Sequence, residues 1–419
     1  MNIKQMTKAL RKAREAEGFC TLLGIGPMSP ALIQATLELS QEQDFPILYI
    51  ASRNQVDMDE FGAGYVNGWD QKRMVADIKA IADKIGYTGQ YYICRDHGGP
   101  WQRDEERKAA LPTEEAMAIG LKSYLEDVDA GFDLLHIDPT KDPHISGTVP
   151  MELVLDRTVT LIEAVEKYIK ENNLAPVGYE VGTEETNGGL TGTEEYTSFI
   201  EKLCAMLEAK GLPTPDFIVG QTGTLTRLTE NIGHYSVENA KKLSDAAAAY
   251  NIELKEHNSD YLADDILLLH PALGVGSSNV APEFGVMETR AYLQLAKLEK
   301  MLFEKGLVPE VGAAAETLSR AAIGTGRWRK WMVGEDANLT VEEVLAKPEL
   351  AALITDISGH YAFEDPAVTK ELNAMLDRLE KANVPARRYV LDKIKSRIGE
   401  YVTCYNLRGL TSKLRKYAE

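Results

Sequence analysis

Hydrophobic residues along this chain follow two alternating patterns. From about residue 18, a short β-branched or aromatic run is followed by a loop rich in Gly, Pro or charge, and then by a stretch with helical spacing. Short apolar runs of this kind predict buried strands, and stretches with a period near 3.6 predict amphipathic helices. The predicted strands are 19–24, 46–51, 90–94, 132–137, 176–182, 217–220, 252–255 and 266–275.

Helical stretches between these strands predict how the sheet closes. Alternating strands and helices favour parallel pairing through crossover helices. Eight such units over about 290 residues fit a closed (β/α)₈ TIM barrel better than an open doubly wound sheet. The open-sheet alternative needs a GxGxxG turn, whereas Gly24-Ile25-Gly26 is followed by Pro27 and no third glycine. The helical stretches include 70–85, 113–130, 153–173, 196–210 and 236–250.

The alternation stops after a helix predicted at 283–305. Residues 306–419 contain no clear strand and predict helices at 341–357, 365–383 and 388–405. We therefore expect a TIM-barrel catalytic domain over residues 1–305 and a helical C-terminal extension over 306–419. The extension could cover the mouth of the barrel, form an oligomer interface, or do both.

Composition limits the partners and the location of the protein. Lys and Arg number 46 against 64 Asp and Glu, a formal charge of −18, so the general surface repels nucleic acid and anionic membranes. No apolar run approaches the ~18–20 residues of a membrane span, and residues 1–16 predict a basic amphipathic helix rather than a signal peptide. The four cysteines, which lack CxxC spacing, indicate reduced thiols. These features predict a cytoplasmic protein that binds neither nucleic acid nor membrane.

Ionisable and amide side chains follow six consecutive predicted strands. In a TIM barrel, catalytic groups lie at the carboxyl ends of the strands and in the loops that follow. Packing alone does not explain such a concentration, which predicts an active centre at this rim. The residues are Arg53, Asn54 and Gln55; Asp96 and His97; His136 and Asp138; Glu180 and Glu184; Gln221; and His257 and Asp260.

Two histidines on different strands, each beside an acidic residue, favour a metal site. Nitrogen and oxygen donors suit Zn²⁺ best, with Mn²⁺ or Co²⁺ as alternatives. Glu180 competes with Glu184 for the role of carboxylate ligand, and we expect His136 to pack beneath Asp138 rather than bind metal. The predicted ligands are His97, Glu184, Gln221 and His257.

Asp96 lies beside a predicted ligand and could move protons on a substrate oxygen. The alternative is a carboxylate that only orients a neighbouring ligand. The predicted catalytic carboxylates are Asp96, Glu184 and Asp138. Six residues are predicted to bind substrate hydroxyls or a phosphate: Arg53, Asn54, Gln55, Asp260, Ser277 and Ser278. The two serines follow the predicted eighth strand, where barrels often hold phosphate. Glycines at 98–99, 188–189 and 274–276 could present amides to a phosphate or serve turn geometry alone.

The same stretches carry a family resemblance. The chain resembles the tagatose-bisphosphate aldolase accessory-subunit family (GatZ/KbaZ), some members of which are labelled tagatose-6-phosphate kinases. Similar motifs occur in family order over about residues 18–305, although 274–285 departs from the family's usual run after the eighth strand. The motifs are Ser52-Arg53-Asn54-Gln55-Val56, Asp96-His97-Gly98-Gly99-Pro100, His136-Ile137-Asp138, Gly182-Thr183-Glu184, Gln221-Thr222-Gly223 and Glu256-His257-Asn258-Ser259-Asp260.

The resemblance implies an aldolase-like chemistry. The family is related to class II aldolases, which bind a catalytic zinc in a TIM barrel. By position, Asp96 would handle the substrate hydroxyl proton and His97 would bind the metal. Some relatives are described as ketose 4-epimerases that interconvert fructose and tagatose, free or as 6-phosphates.

Two functions therefore compete. The first is a metal-dependent ketose 4-epimerase that works by retro-aldol cleavage and re-addition on a ketohexose or ketohexose phosphate. The second is an accessory subunit of a class II tagatose-1,6-bisphosphate aldolase, with the aldolase catalytic subunit as partner. A homo-oligomer is expected in either case. The sequence contains no GxxxxGK[ST] phosphate loop, which disfavours a kinase.

Overall fold

The computed structural model of this chain describes residues 1–182, 189–332 and 334–418. Eight parallel strands close into a barrel in which, numbered along the chain, they run 1-8-7-6-5-4-3-2 around the circumference. The predicted TIM barrel with a helical C-terminal region is confirmed. The barrel strands are Leu22–Ile25, Ile47–Ser52, Tyr91–Gly98, Leu134–Ile137, Gly178–Gly182, Phe217–Val219, Glu253–Glu256 and Ser277–Val280.

Side-chain caps define where several barrel helices begin and end. The Ser29 hydroxyl accepts from the Leu32 amide directly before Pro30, and the Asp70 carboxylate accepts from the Arg73 amide. Gly86, with φ 66°, ends the second of these two helices in the left-handed region. The helices up to residue 304 are Ile3–Glu17, Pro30–Gln43, Gln71–Ile85, Asp104–Lys108, Thr113–Ala130, Met151–Asn172, Thr193–Ala209, Val237–Ala248, Asp264–Leu273 and Pro282–Glu304.

The prediction of a strand at 266–275 is wrong. This run forms the helix Asp264–Leu273, and the eighth barrel strand is Ser277–Val280. Periodicity cannot separate a short buried helix from a buried strand. The decisive signals lie at the ends: two aspartates in the first turn complement the helix dipole, and Gly274, with φ 79°, ends the helix. Ser277 and Ser278 therefore lie inside the eighth strand and not in the loop after it.

The C-terminal helices pack on the outside of the barrel and share its core. Ala386–Cys404 contacts Pro30–Gln43 and Pro282–Glu304, and its buried face belongs to the barrel's apolar cluster. The stretch predicted as one helix at 341–357 is two, because Pro348 starts a new helix. A domain boundary at residue 305 stays a prediction. The C-terminal helices are Ala314–Gly324, Val341–Leu345, Pro348–Ser358, Pro366–Lys381, Ala386–Cys404 and Leu410–Tyr417.

Two further sequence-based expectations concern the whole chain. Within the described ranges, no helix combines the length and the apolar composition that a membrane crossing requires. Cys20, Cys94, Cys204 and Cys404 are free thiols, and burial raises the pKa of Cys20 to about 11. The prediction of reduced thiols agrees with this arrangement.

A buried carboxyl, Glu288, joins the barrel rim to helix Pro282–Glu304. Its Oε2 atom accepts a hydrogen bond from Ser29 Oγ at 2.5 Å, and its Oε1 atom accepts one from the Tyr292 hydroxyl at 3.1 Å. Glu288 is only 1% exposed, and burial raises the pKa of its carboxyl to about 7. The folded protein therefore binds this proton more tightly than the unfolded chain does.

Glu288→Gln is expected to remove part of the pH dependence of stability. Since the pKa is raised from 4.5 to about 7 on folding, the wild type loses stability as the pH rises through that window. The loss is on the order of 3 kcal/mol, and the neutral amide does not incur it. Urea unfolding at pH 5 and pH 8 measures the effect. A variant whose stability relative to wild type is the same at both pH values would contradict the prediction.

Candidate metal centre

A β-bulge brings Asp96 and His97 to the same part of the rim. Neighbouring residues of a regular strand point to opposite faces. Here the register shifts between Arg95 and Gly98, and His97 adopts φ 42°, in the left-handed region. Both side chains consequently reach the same ring, His257. Strained backbone of this kind is concentrated at functional sites.

Three imidazoles meet at the carboxyl ends of the strands. His97 Nε2 lies 3.1 Å from Nδ1 of His257, which follows the seventh strand. His136, from the fourth strand, accepts a hydrogen bond from the His97 amide at its Nδ1 atom, over 3.2 Å. The three ring centroids are 4.8–5.3 Å apart. The structure thus places His136 among the candidate ligands, contrary to the expectation that it packs away from the site.

Two carboxylates complete what we call the imidazole cluster, which consists of Asp96, His97, His136, Glu180 and His257. Glu180 Oε1 lies 2.9 Å from His257 Nε2 and 3.6 Å from His136 Nδ1. Asp96 Oδ1 lies 3.6 Å from His257 Nε2 and 3.8 Å from His136 Nδ1. The competing carboxylate, Glu184, lies outside the described residues, so its predicted roles as ligand and catalytic group stay predictions.

Buried groups around the cluster fix the orientation of its members. Asp138 Oδ2 lies 2.7 Å from His97 Nδ1, and its Oδ1 atom accepts from the Thr140 hydroxyl at 2.5 Å. Lys255, fully buried inside the barrel, donates to Glu180 Oε2 at 2.5 Å. A carboxylate behind a ligand histidine commonly fixes its ring orientation. Its position suits Asp138 to orient His97 rather than to the catalytic role predicted for it.

The electrostatics of the cluster favour ionised carboxylates. Burial by itself raises the pKa of Asp96, but the imidazoles of His97 and His257 hold it well below its usual range. Burial likewise raises the pKa of Glu180, but the Lys255 ammonium together with the imidazoles of His136 and His257 outweighs that effect and lowers the pKa. With neutral imidazoles, which metal ligation requires, the carboxylates of Asp96, Asp138 and Glu180 outnumber the single Lys255 ammonium, and a bound cation would balance the excess negative charge.

The donor set fits a divalent cation. Ligand atoms bound at 2.0–2.2 Å to one tetrahedral Zn²⁺ lie about 3.3 Å from one another. The contacts within the imidazole cluster, 2.9 Å for His257–Glu180 and 3.6 Å for His136–Glu180, bracket that spacing. In each of two overlapping groups, all ligand atoms lie within 4.8 Å of one another. The groups are His97-His136-His257 and Asp96-His136-Glu180-His257. In the described part of the chain, the buried Nε2 atom of His136 has no hydrogen-bond partner. Mixed imidazole and carboxylate donors suit Zn²⁺, Mn²⁺ or Co²⁺.

The structure corrects the prediction that Arg53 binds the substrate. Its side chain is fully buried, and its guanidinium pairs with Asp57 at 2.9 Å and Glu106 at 2.7 Å. It also donates to the Gly99 carbonyl oxygen, which ties the loops after the second and third strands together. Burying an arginine requires such partners, and they leave the guanidinium turned away from a substrate.

The neighbouring amides also bond within these loops. Asn54 donates to the Gln102 carbonyl oxygen and accepts from the Asp104 amide. Gln55 accepts from the Ser52 amide and donates to Met28 Sδ. Both residues therefore shape the loops that border the site.

Asp260 caps the helix after the eighth strand. Its Oδ1 atom accepts from the amides of Ala281 and Glu283 at 3.1 and 2.9 Å. Burial, reinforced by the Glu283 carboxylate, raises the pKa of Asp260 to about 7. The assignment of Asp260 to substrate hydroxyls is corrected accordingly, since this oxygen is occupied by the helix terminus.

The two serines and Gln221 complete the predicted set. Ser278 Oγ bonds to the Tyr405 hydroxyl at 2.8 Å, on the outside of the barrel, so its substrate role is wrong. Ser277 is fully buried in the strand opposite Lys255, below the rim. Gln221 is buried just after the sixth strand, where its backbone amide donates to Thr191 Oγ1 at 2.8 Å. Its role as a ligand stays a prediction.

Sequence reasoning missed Lys255 and Asn279. Asn279 Nδ2 donates to Asp96 Oδ1 at 3.2 Å, from the strand that was assigned to the wrong segment. Lys255 stands two residues before His257, so strand alternation puts both on the inner face. An ionisable residue at an inward position of a barrel strand was the signal that could have identified Lys255.

Asp138→Asn is expected to weaken metal binding by about 10–100-fold, the usual effect of removing a carboxylate that orients a ligand histidine. The amide keeps the size of the side chain but lacks the charge that holds His97 Nδ1–H at 2.7 Å. Chelator competition with Zn²⁺ measures the change, and Asp142→Asn, at a carboxylate that pairs with Arg157, is the control. Equal affinities in the two variants would contradict the prediction.

Comparison with known proteins gives one family match. The sequence profile described as D-tagatose-1,6-bisphosphate aldolase subunit GatZ/KbaZ-like matches residues 6–392, which is nearly the whole chain. No curated protein matches the chain significantly.

Solved structures share the fold. A probable tagatose 6 phosphate kinase from Sinorhizobium meliloti 1021 is 21% identical, with a TM-score of 0.74 over 92% of this chain and 100% of that chain. The fructuronate-tagaturonate epimerase UxaE from Cohnella laeviribosi is 14% identical, with a TM-score of 0.57 over 93% of this chain and 82% of that one. The fructose-bisphosphate aldolase of Campylobacter jejuni is 13% identical, with a TM-score of 0.52 over 98% and 99%. At these identities the likeness establishes the barrel fold.

Proposed function

Because the chain belongs to the GatZ/KbaZ-like family of D-tagatose-1,6-bisphosphate aldolase subunits, we propose that it is a metal-dependent ketose 4-epimerase interconverting tagatose and fructose. Family membership supports an aldolase-related function. The observation that carries the finer proposal is the convergence of three imidazoles and two carboxylates, with His97 and His257 in contact at 3.1 Å. A vestigial site would have no need to keep this buried, charged arrangement.

The chemistry of the substrate selects the reaction path. In a 2-ketose the hydrogen on C4 is β to the carbonyl and not acidic, so simple deprotonation cannot invert that centre. Cleavage of the C3–C4 bond, rotation of the resulting aldehyde and re-addition to its other face invert C4 with all atoms retained. Lewis-acid stabilisation of the charge on the C2 and C3 oxygens is the chemistry that a bound divalent cation supplies.

Asp96 is the group we assign to proton transfer. Its carboxylate takes the proton of the C4 hydroxyl as the C3–C4 bond breaks, and it returns the proton to the same oxygen after re-addition. Asn279 donates to Asp96 Oδ1 at 3.2 Å, which restrains the orientation of this carboxylate. Ionised Asp96, with its pKa below the usual range, is in the correct state to act first as the base.

The end of the site near the eighth strand favours a free ketohexose over its phosphate. Barrels often bind phosphate at the helix terminus in this position. Here the Asp260 carboxylate already accepts from the Ala281 and Glu283 amides, so these two donors are no longer open to a phosphate. Of the two predicted partners, a ketohexose or a ketohexose phosphate, we therefore favour the free ketohexose.

Turnover by the purified chain alone tests the function. The protein is loaded with Zn²⁺, Mn²⁺ or Co²⁺ and assayed with fructose, tagatose and their 6-phosphates. Interconversion that needs one of these cations and no second protein is expected. Absence of turnover with every sugar and cation would contradict the proposal.

An accessory role in a class II tagatose-1,6-bisphosphate aldolase is the second candidate. The family description supports it, as do four large apolar side chains within residues 301–311 that are 41–66% exposed. Such an apolar segment is typical of a contact with another subunit, either a copy of this chain or an aldolase catalytic subunit. Activity of the isolated chain would exclude a purely structural role. The residues are Met301, Phe303, Leu307 and Val311.

A further inference from the structure

A cavity separate from the metal centre lies between the barrel rim and the C-terminal helices. It has a volume of about 260 Å³ and is bounded by the start of helix Pro30–Gln43, the second turn of Pro282–Glu304 and residues 360–376. The residues of the imidazole cluster are not among the described residues that line it. We call this space the C-terminal cavity.

His360 gives the C-terminal cavity an unsatisfied hydrogen-bonding group. The residue is 3% exposed, and neither ring nitrogen has a partner within the residues that the structure describes. Burial, with a smaller effect of Lys330, lowers its pKa to about 3, so the ring is neutral. A neutral imidazole offers one donor and one acceptor. A buried polar group without a partner indicates a missing water or ligand.

The remaining walls combine a second polar pair with aromatic faces. Glu288 is hydrogen-bonded to Ser29 and Tyr292, which keeps its carboxyl at the cavity surface. Tyr65 and Phe363 add aromatic rings, and aliphatic side chains fill the spaces between them. Apolar and aromatic walls with a few converging polar groups are the usual composition of a small-molecule site.

The charged residues of the lining disfavour an ionic ligand. Among the lining residues that the structure describes there is no lysine or arginine, while Glu288 and Glu364 are both present. An anion would therefore be buried beside carboxyls without a counter-ion from the lining. Burial raises the pKa of Glu288 to about 7, which weakens the attraction of this carboxyl for a cation. The walls suit a neutral molecule that both donates and accepts hydrogen bonds.

We propose that the C-terminal cavity binds an uncharged polyhydroxy compound, a free sugar or a polyol, through His360 and Glu288. Its hydroxyls pair with the His360 ring nitrogens, which have no partner among the described residues. Its C–H faces pack on Tyr65 and Phe363. The site is distinct from the imidazole cluster and does not depend on the reaction proposed for that cluster.

Calorimetric titration of the full chain tests this site, with D-sorbitol as the polyol probe and with D-fructose, titrated into the His257→Ala variant, as the sugar probe. His360→Phe keeps an aromatic ring and removes both nitrogens, and Ala31→Phe adds a bulky ring at another lining position of the cavity. Each is expected to weaken binding at least about tenfold. Ala367→Phe introduces the same side chain at an exposed position of helix Pro366–Lys381 that does not line the cavity, and it should leave the affinity unchanged.

His257→Ala separates this site from the barrel. This variant disrupts the imidazole cluster and should lose turnover, yet it should still bind one sorbitol with unchanged affinity. Loss of sorbitol binding in His257→Ala with retention in His360→Phe would place the ligand in the barrel and overturn the proposal. Tighter binding of inorganic phosphate or 1,4-diaminobutane than of both neutral probes to His257→Ala, or no binding of either neutral probe, would overturn it too. If His360→Phe does not fold, the loss of sorbitol affinity is measured in Ala31→Phe instead.

Discussion

Replacement of Asp96 by asparagine is expected to lower ketohexose turnover by about 10²–10⁴-fold, the usual contribution of a positioned general acid–base group. The asparagine side chain has the same size and still offers an oxygen to Asn279 Nδ2, but it cannot take up the C4 hydroxyl proton. The imidazoles of the cluster are unaltered, so the metal content per chain should stay the same. Turnover and elemental analysis of the same preparation measure the two effects.

Asp216→Asn is the matched control for this experiment. Asp216 is also buried, but it lies before the sixth strand, at the end of the barrel remote from the cluster, where it accepts from Thr7 Oγ1 and the Tyr179 amide. This variant should retain wild-type turnover per folded molecule. Normal turnover in Asp96→Asn would refute the catalytic role. Loss of metal together with turnover would assign Asp96 to the ligands instead of to proton transfer.

The barrel was predictable because its signals are local and repeated. Seven of the eight strands follow from short apolar runs, and their pairing follows from alternation with helices. The prediction of the eighth strand was wrong because the most apolar segment of that region, 266–275, folds as a helix. The actual strand, Ser277–Val280, contains two serines and an asparagine. Polar residues inside a small barrel can be buried when other strands supply partners, and such partners are not visible in one segment.

The site was predictable only to the level of strand ends. That His97 and His257 meet follows from the geometry of a barrel, in which all carboxyl ends share one rim. The bulge at His97 does not follow from any residue pattern, and it is the bulge that aims Asp96 and His97 at one ring. Arg53 shows the opposite error: a cation at a strand end suggested a substrate contact, but Asp57 and Glu106 already neutralise it.

Lys255→Met is expected to cost about 3–5 kcal/mol of stability, because it leaves the Glu180 carboxylate buried without its cation. The ion pair spans 2.5 Å, and both side chains are fully buried. Urea unfolding in the presence of a chelator measures the loss without a contribution from bound metal. The double variant Lys255→Met/Glu180→Gln should recover much of the lost stability, since no unpaired charge remains.

Lys202→Met is the control that isolates the effect of burial. Lys202 pairs with Glu152 at the same 2.5 Å, but the two side chains are 47% and 75% exposed. Water screens such a pair, so its removal should change stability by no more than about 1 kcal/mol. Equal losses in the two single variants would show that Glu180 is solvated in the folded protein. The buried excess of negative charge, on which the case for a cation depends, would then be absent.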